Sequence, residues 1–334
     1  MDLHEPGPDV DFSRTDETNP PRRSDSPGAT QPPPPPSGEA ESATPEPANT
    51  EPASTEPANT EPAPASRTGR NLPVAIGIGL LLGIAPVVTL FTVKSTFLIY
   101  VGLAVSVAIW ELSRAVRGRD IEIPLVPIYA GGTALWTCTY WLGYKAGFAA
   151  LGLTMMAVLA WRLHGPADGY LRDVTAGMFT VMYLPVAGVF VALMVSEPNG
   201  GHRAFLFVVL AVCSDTGGYA GGVLFGKHLI APAISPKKTW EGLAGSTVFC
   251  LVAGGILLPV LLHGKVWQGL LLGAAVVVVA FLGDLVESMM KRDLGIKDMG
   301  SLLPGHGGVL DRIDAMIVSA PLTWLLLIVF LPAR

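Results

Sequence analysis

In the last third of this chain, acidic side chains stand where acid is rare in an apolar sequence. Gly283-Asp284-Leu-Val-Glu287-Ser288-Met-Met-Lys291-Arg292 closes one apolar run, and Leu303-Pro-Gly-His306-Gly-Gly-Val-Leu-Asp311-Arg312-Ile-Asp314 leads into the next. On a helix, Asp284, Glu287, Ser288 and Lys291 fall at i, i+3, i+4 and i+7 and share one face. Asp284 and Asp311 lie at opposite ends of a polar loop that can fold back on itself. Hard carboxylate oxygens of this kind suit Mg2+, which keeps waters and substrate phosphates in its remaining positions. Lys291, Arg292 and Arg312 stand beside them, ready to neutralise a polyphosphate. Such a set serves phosphoryl or nucleotidyl transfer, where a protein contributes positioning and charge stabilisation more than covalent chemistry.

The turn Pro304–Gly308 adds to this picture, since Gly307 and Gly308 let backbone N–H groups bend around an anion. Asp311 and Asp314 then sit one turn apart at the start of a helix. His306 has three readings: a metal ligand, a general base, or a loop histidine that holds the turn by hydrogen bonds. An attacking phosphate is already anionic and needs no base, so the structural reading is preferred. Upstream, Cys213-Ser-Asp215-Thr-Gly-Gly-Tyr-Ala-Gly-Gly222 places Asp215 inside an apolar run. A carboxylate at that depth costs several kcal/mol and normally faces a cavity and a partner. It could also ligate metal, though Asp284 and Asp311 rank ahead of it. Its glycines form small-xxx-small pairs that let helices approach closely. Between these blocks, Ile234-Ser235-Pro-Lys237-Lys238-Thr-Trp-Glu-Gly242 sets two lysines before a helix start at Thr239. Free N–H groups and ammonium charge would point the same way there, which makes a phosphate site. The same residues read equally well as an ordinary basic loop near anionic headgroups.

What must position these groups is a membrane domain. The chain has 334 residues, 50% of them hydrophobic and only 15% charged, where a soluble domain carries about a quarter charged residues. Apolar runs of span length lie near 72–91, 95–112, 124–142, 145–163, 174–195, 204–222, 243–262, 267–285 and 314–331. The expected fold is therefore an all-α, polytopic transmembrane helical bundle of about nine spans. Pro86, Pro127 and Pro185 are tolerable within it where neighbouring helices satisfy the freed backbone groups. Short links around Lys94 and Lys145 imply tight hairpins, although 72–112 and 124–163 could each hide a re-entrant segment. Glu111, Asp168 and Asp173 fall at or beyond span ends. Cys138, Cys213 and Cys250 are scattered in apolar stretches, with no disulfide framework or metal spacing.

Residues 1–70 differ in kind. The run Pro32–Pro36 and the repeated Thr-Glu-Pro-Ala units remove helix donors at every repeat and offer almost nothing apolar to bury. That composition reads as a disordered, locally polyproline II tail, with no signal-peptide pattern. The expected organisation is a cytosolic tail over 1–70, N-terminal transmembrane helices over 71–203 and a C-terminal catalytic region over 204–334. With the N-terminus inside, the inner side gathers 14 lysines and arginines beyond residue 66, against 5 outside: Lys94, Lys145, Arg203, Lys265 and Arg334. That asymmetry supports a cytosolic N-terminus and a cytosolic position for all three polar blocks, in the plasma or inner membrane. The net charge of −5 sums a tail and a membrane domain and says little about partners. No nucleic-acid partner is expected.

At its polar blocks the chain resembles the phosphatidate cytidylyltransferases (CDP-diglyceride synthases). Their C-terminal signature stands here as Ser288-x-x-Lys291-Arg292-x4-Lys297-Asp298, followed by His306-Gly307-Gly308-x-x-Asp311-Arg312-x-Asp314. Ser214-Asp215-Thr216-Gly217 and Ser235–Gly242 also look like that family's. The likeness is strong from 213 to 314 and rests on hydropathy alone from 72 to 212. Gly218 departs from it, where family members often carry Ala. The resemblance implies a multi-span, dimeric, divalent-metal enzyme that converts CTP and phosphatidic acid to CDP-diacylglycerol and pyrophosphate. It implies Asp284 and Asp311 as holders of Mg2+, with K+ as a second ion. It implies phosphate contacts from Lys237, Lys238, Lys291, Arg292 and Arg312, with Ser235, His306, Gly307 and Gly308 on the substrate. Asp215 would lie in the polar cavity and Asp314 would orient its neighbours. Two other readings stay open: a cytidylyltransferase for another membrane lipid phosphate, and a transporter whose buried acids bind a coupling cation.

Overall fold

The computed structural model describes residues 83–300, 302 and 307–331. The tail read over 1–70, the start of the first expected span, and His306 lie outside the described residues. The chain runs through α1 (Gly83–Thr92), α2 (Lys94–Arg117), α3 (Leu125–Leu142), α4 (Tyr144–Trp161), α5 (Tyr170–Tyr183), α6 (Pro185–Ser196) and α7 (Gly200–Phe225). A hairpin follows, β1 (Leu229–Ala231) antiparallel to β2 (Ser235–Thr239), then α8 (Trp240–Leu262), α9 (Val266–Leu294) and α10 (Leu310–Phe330).

The protein is an all-α integral membrane protein. Among the described residues 7 helical segments are long and apolar enough to cross a bilayer, α5 and α6 together making one of them. The expected nine is approximate, and α3 shows why. It has span length, 18 residues, but Tyr129, Thr133, Thr137, Thr139 and Tyr140 dilute its hydropathy. The helix satisfies part of that polarity itself: Thr133 and Thr137 hydroxyls donate to carbonyls one turn back. The hairpin expected near Lys145 is a one-residue link at Gly143, whose φ of 84° only glycine adopts without strain. Pro185 divides the expected 174–195 run. Lacking an N–H, it starts α6 at its first position, and its carbonyl accepts from Trp136 Nε1 at 2.8 Å.

Close helix approach is what assembles the C-terminal half. A Cβ on Gly217 would come within 2.6 Å of the Gly245 carbonyl oxygen, and one on Gly242 within 2.9 Å of the Gly218 oxygen. So α7 and α8 touch backbone to backbone, as small-residue packing in lipid requires. Ser246 Oγ then donates across this seam to the Ser214 carbonyl at 2.6 Å. Two buried apolar clusters fill the bundle. One joins α6 to α7–α10 through Val191, Phe207, Leu210, Leu258, Leu272 and Leu327. The other joins α2–α6 through Ile109, Leu112, Leu135 and Leu184, and it also takes in Met299, Leu310 and Ile317. The N-terminal helices therefore share a core with the segment that enters α10.

Polar contacts tie the helix ends together on one side of the bundle. Asp173 accepts from Glu122 N at 3.0 Å and Arg162 Nε at 2.9 Å, and an Arg119 guanidinium N–H donates to the Asp293 carbonyl. At the other end, the buried Arg203 donates to the Leu331 carbonyl.

Candidate active site

The end of α7, the hairpin, the start of α8 and the middle of α9 enclose a cavity of about 260 Å³. Asp215, Lys237, Lys238 and Asp284 are its charged lining, beside Ser214, Tyr219, Thr239 and Ser246. Leu243, Val277 and Phe281 form an apolar wall. The hairpin was not expected. It holds the lysine pair in extended backbone and hands over directly to α8, where Thr239 Oγ1 accepts from Gly242 N at 3.1 Å as the N-cap. Its base is pinned by Glu241. One carboxylate oxygen accepts from the Lys227 and His228 backbone N–H groups, and the other meets His228 Nδ1 at 2.6 Å. Its tip is pinned by Arg292, whose Nε donates to the Ile234 carbonyl at 3.3 Å. Lys238 Nζ is ion-paired with Asp284 and lies 5.0 Å from the centre of the Phe281 ring. Arg312 stands within electrostatic range of Asp215.

One turn further along α9 lies a second, tighter cluster. Lys291 Nζ donates to Glu287 Oε2 at 2.6 Å and to Asp311 Oδ1 at 2.9 Å. The helix runs past the expected span end at 285 and stops only at Gly295, with φ 70°. Lys291 is therefore helical, and the i, i+4 pairing with Glu287 follows from that. Asp311 also accepts from Met299 N and Gly308 N at 3.0 Å each. Three N–H groups from Gly308 to Leu310 are thus filled by protein carboxylates: Gly308 by Asp311, and Val309 and Leu310 by Glu111. Asp314 is buried and faces Glu287 and Asp284. Tyr183 Oη borders these acids and, like Glu287 Oε1, is buried without a hydrogen-bond partner among the described residues.

The sequence-derived residues therefore fall into two groups, each with one member on α9. Asp215, Lys237, Lys238 and Asp284 meet in the cavity. Lys291, Asp311, Asp314, Gly307 and Gly308 meet around the turn. Ser235 opens β2 outside the cavity lining, and Arg292 braces the hairpin. Glu111, set aside as a span-end acid, is 1% exposed and reaches the turn. Its one sequence signal was a lone carboxylate closing an apolar run.

A divalent cation would find suitable oxygens here. Among the described residues no three acidic, histidine or cysteine side chains converge to hold a metal by themselves. Mg2+ does not require that, since one or two carboxylates plus substrate phosphates and water complete its shell. Asp284 and Asp311 each already hold a cationic ammonium, and Glu287 Oε1 is a buried carboxylate oxygen with no donor among the described residues. The donor chemistry fits a cation shared with a phosphate-bearing substrate.

The bundle and its cavity define a membrane-embedded enzyme for phosphate chemistry, and comparison with known proteins agrees. The cytidylyltransferase family model matches residues 74–330. The chain belongs to the cytidylyltransferase family. It is 42% identical over 276 residues to the phosphatidate cytidylyltransferase of Mycobacterium bovis, covering 78% of this chain and 90% of that protein. To the Mycobacterium leprae phosphatidate cytidylyltransferase it is 41% identical over 278 residues, 78% of this chain and 89% of the relative. To that of Pseudomonas aeruginosa it is 34% identical over 236 residues, 67% and 85% respectively. Family membership sets aside the transporter reading.

Proposed function

We propose that this protein is a phosphatidate cytidylyltransferase: it transfers CMP from CTP to phosphatidic acid, giving CDP-diacylglycerol and pyrophosphate for phospholipid synthesis. The observation that carries this is the cavity that sets Lys237 and Lys238 against Asp215 and Asp284, with Leu243, Val277 and Phe281 forming its apolar wall. A nucleotide triphosphate needs the cations; a diacyl substrate needs apolar surface beside them.

The reaction is an in-line displacement. A phosphate oxygen of phosphatidic acid attacks the α-phosphorus of CTP, the new P–O bond forms as the α–β bridge breaks, and pyrophosphate leaves with the bridging electrons. Lys237 and Lys238 hold phosphate oxygens, and Arg312 and Arg292 add charge at the cavity edge. Lys238 exchanges its Asp284 partner for substrate phosphate, which frees Asp284. Asp311, Gly307, Gly308 and Asp314 keep the start of α10 beside α9, with Lys291 joining the two segments, and His306 serves as a substrate contact. A divalent cation such as Mg2+ would be held from the cavity side by Asp284, with Asp311 of the neighbouring group as its second carboxylate and K+ as an accompanying ion, and would supply charge neutralisation on the phosphates. The site lies at the cytosolic face, with the N-terminus on the same side, and the enzyme acts as a homodimer.

The test is detergent-purified protein with labelled CTP, phosphatidic acid and Mg2+. Liponucleotide and pyrophosphate should form in equal amounts, and chelation of the metal should stop both. Absence of liponucleotide under these conditions would sink the proposal. Competition with other lipid phosphates then ranks the acceptors.

A further inference from the structure

We infer that Glu111, on α2 of the N-terminal helices, is a positioning residue of the active site: its carboxylate sets the turn that carries Asp311 and Arg312. The inference rests on the transferase reading above and adds a residue outside the C-terminal motifs. Glu111 is 1% exposed, in the C-terminal half of a helix otherwise packed through Ile109, Leu112 and Val116. Its Oε1 accepts from Val309 N at 3.0 Å and its Oε2 from Leu310 N at 2.8 Å. These are N–H groups at the very start of α10, which no intrahelical carbonyl can satisfy. Val309, the N-cap residue, offers no side-chain cap of its own.

A carboxylate at a helix N-terminus is favoured by both the free donors and the helix dipole. Here the cap comes from a residue almost 200 positions away in sequence, with separations of 198 and 199. The backbone has shaped itself around it. A Cβ on Gly300 would collide with the Glu111 carboxylate, and one on Gly308 would lie 2.8 Å from each of Glu111 Oε2, Asp311 Oδ2 and Gly300 N. The two carboxylates thus divide the turn between them, Asp311 taking Met299 and Gly308, Glu111 taking Val309 and Leu310. Since Leu310, Asp311 and Arg312 are consecutive, fixing the first fixes the direction of the other two. The C-terminal half alone lacks this anchor.

Glu111→Gln keeps the shape but turns an amide N–H2 toward one of the two backbone donors. Glu111→Ala removes both acceptors. The experiment measures turnover and backbone hydrogen exchange on full-length protein in detergent. For Glu111→Gln the expectation is a fall in kcat of about tenfold to a hundredfold, KM for CTP within about threefold, and exchange of the 307–312 segment about tenfold faster or more, with α9 unchanged. Glu111→Ala should exceed it in both readouts. Wild-type turnover in Glu111→Gln and Glu111→Ala overturns the inference. So does lost turnover with unaltered exchange at 307–312, or faster exchange spread equally over α2 and α9. If the unaltered protein makes no liponucleotide, the transferase proposal fails, while the exchange data still decide whether Glu111 holds the turn.

Discussion

Two lysine–carboxylate groupings lie one helical turn apart on α9, and they are built for different ends. In the Lys238–Asp284 pair and the Lys291–Glu287–Asp311 group the two lysines are alike, Lys238 20% and Lys291 18% exposed; the acids differ, Asp284 being 31% exposed against 4% for Glu287 and 9% for Asp311. The first pair lines a cavity, and each partner has a face left for a ligand. In the second, Asp311 is also bonded to backbone N–H groups, and the lysine bridges two chain segments. A partly exposed pair that faces a cavity can be exchanged for substrate more cheaply than a buried one, since contact with water weakens an ion pair. A buried one that loses a member leaves an uncompensated charge, which costs about 3–5 kcal/mol. The difference teaches that charge type alone does not mark the reacting centre; access does. The open pair is the substrate end and the closed group is its frame.

That contrast can be broken by substitution. The largest effect is expected from Asp284→Asn, which removes a charged cavity-lining acid without removing volume. Turnover should fall by at least about a thousandfold while thermal unfolding stays where it was, and full activity in a labelled-CTP assay would take Asp284 out of the mechanism. Next comes Lys291→Ala, which leaves Glu287 and Asp311 facing each other without their shared cation. It should lower stability by about 3–5 kcal/mol, read as a drop in Tm, with activity lost as a consequence of unfolding. Lys238→Ala should behave in the opposite way, with kcat/KM for CTP about a hundredfold lower and Tm nearly unchanged. If Lys238→Ala unfolded the protein and Lys291→Ala left it folded, the assignment of open and closed groups would be reversed. The smallest effect is expected from Arg292→Ala, which loses one hydrogen bond to the hairpin tip, worth about 1 kcal/mol. A rise of about threefold in KM for CTP with kcat preserved would fit; an inactive variant would mean that Arg292 acts on the reacting phosphates directly.

Much of this protein was legible in its residues. Uncompensated apolar runs can be buried only in lipid or in one another, and only helices satisfy their backbone groups there, so the all-α membrane class follows from composition and run length. The i, i+4 meeting of Glu287 with Lys291 follows from helical period, and the N-cap at Thr239 from a hydroxyl preceding an apolar helix. The glycines of α7 announced a close helix contact because nothing larger than hydrogen fits between touching backbones.

Other features belonged to tertiary structure alone. The β1–β2 hairpin carries too few apolar residues to be read as strands, and it forms because Glu241 and Arg292 fasten its base and tip. Asp284 and Asp311 look alike in sequence, two acids flanking one polar loop; only packing gave one a cavity and the other a cage of N–H donors. Glu111 is the sharpest case. Local sequence describes a span-end acid, and its partners lie nearly two hundred residues away. No periodicity or spacing encodes a contact of that range, because it is set by how α2 and α10 pack and by which unsatisfied backbone groups that packing brings within reach.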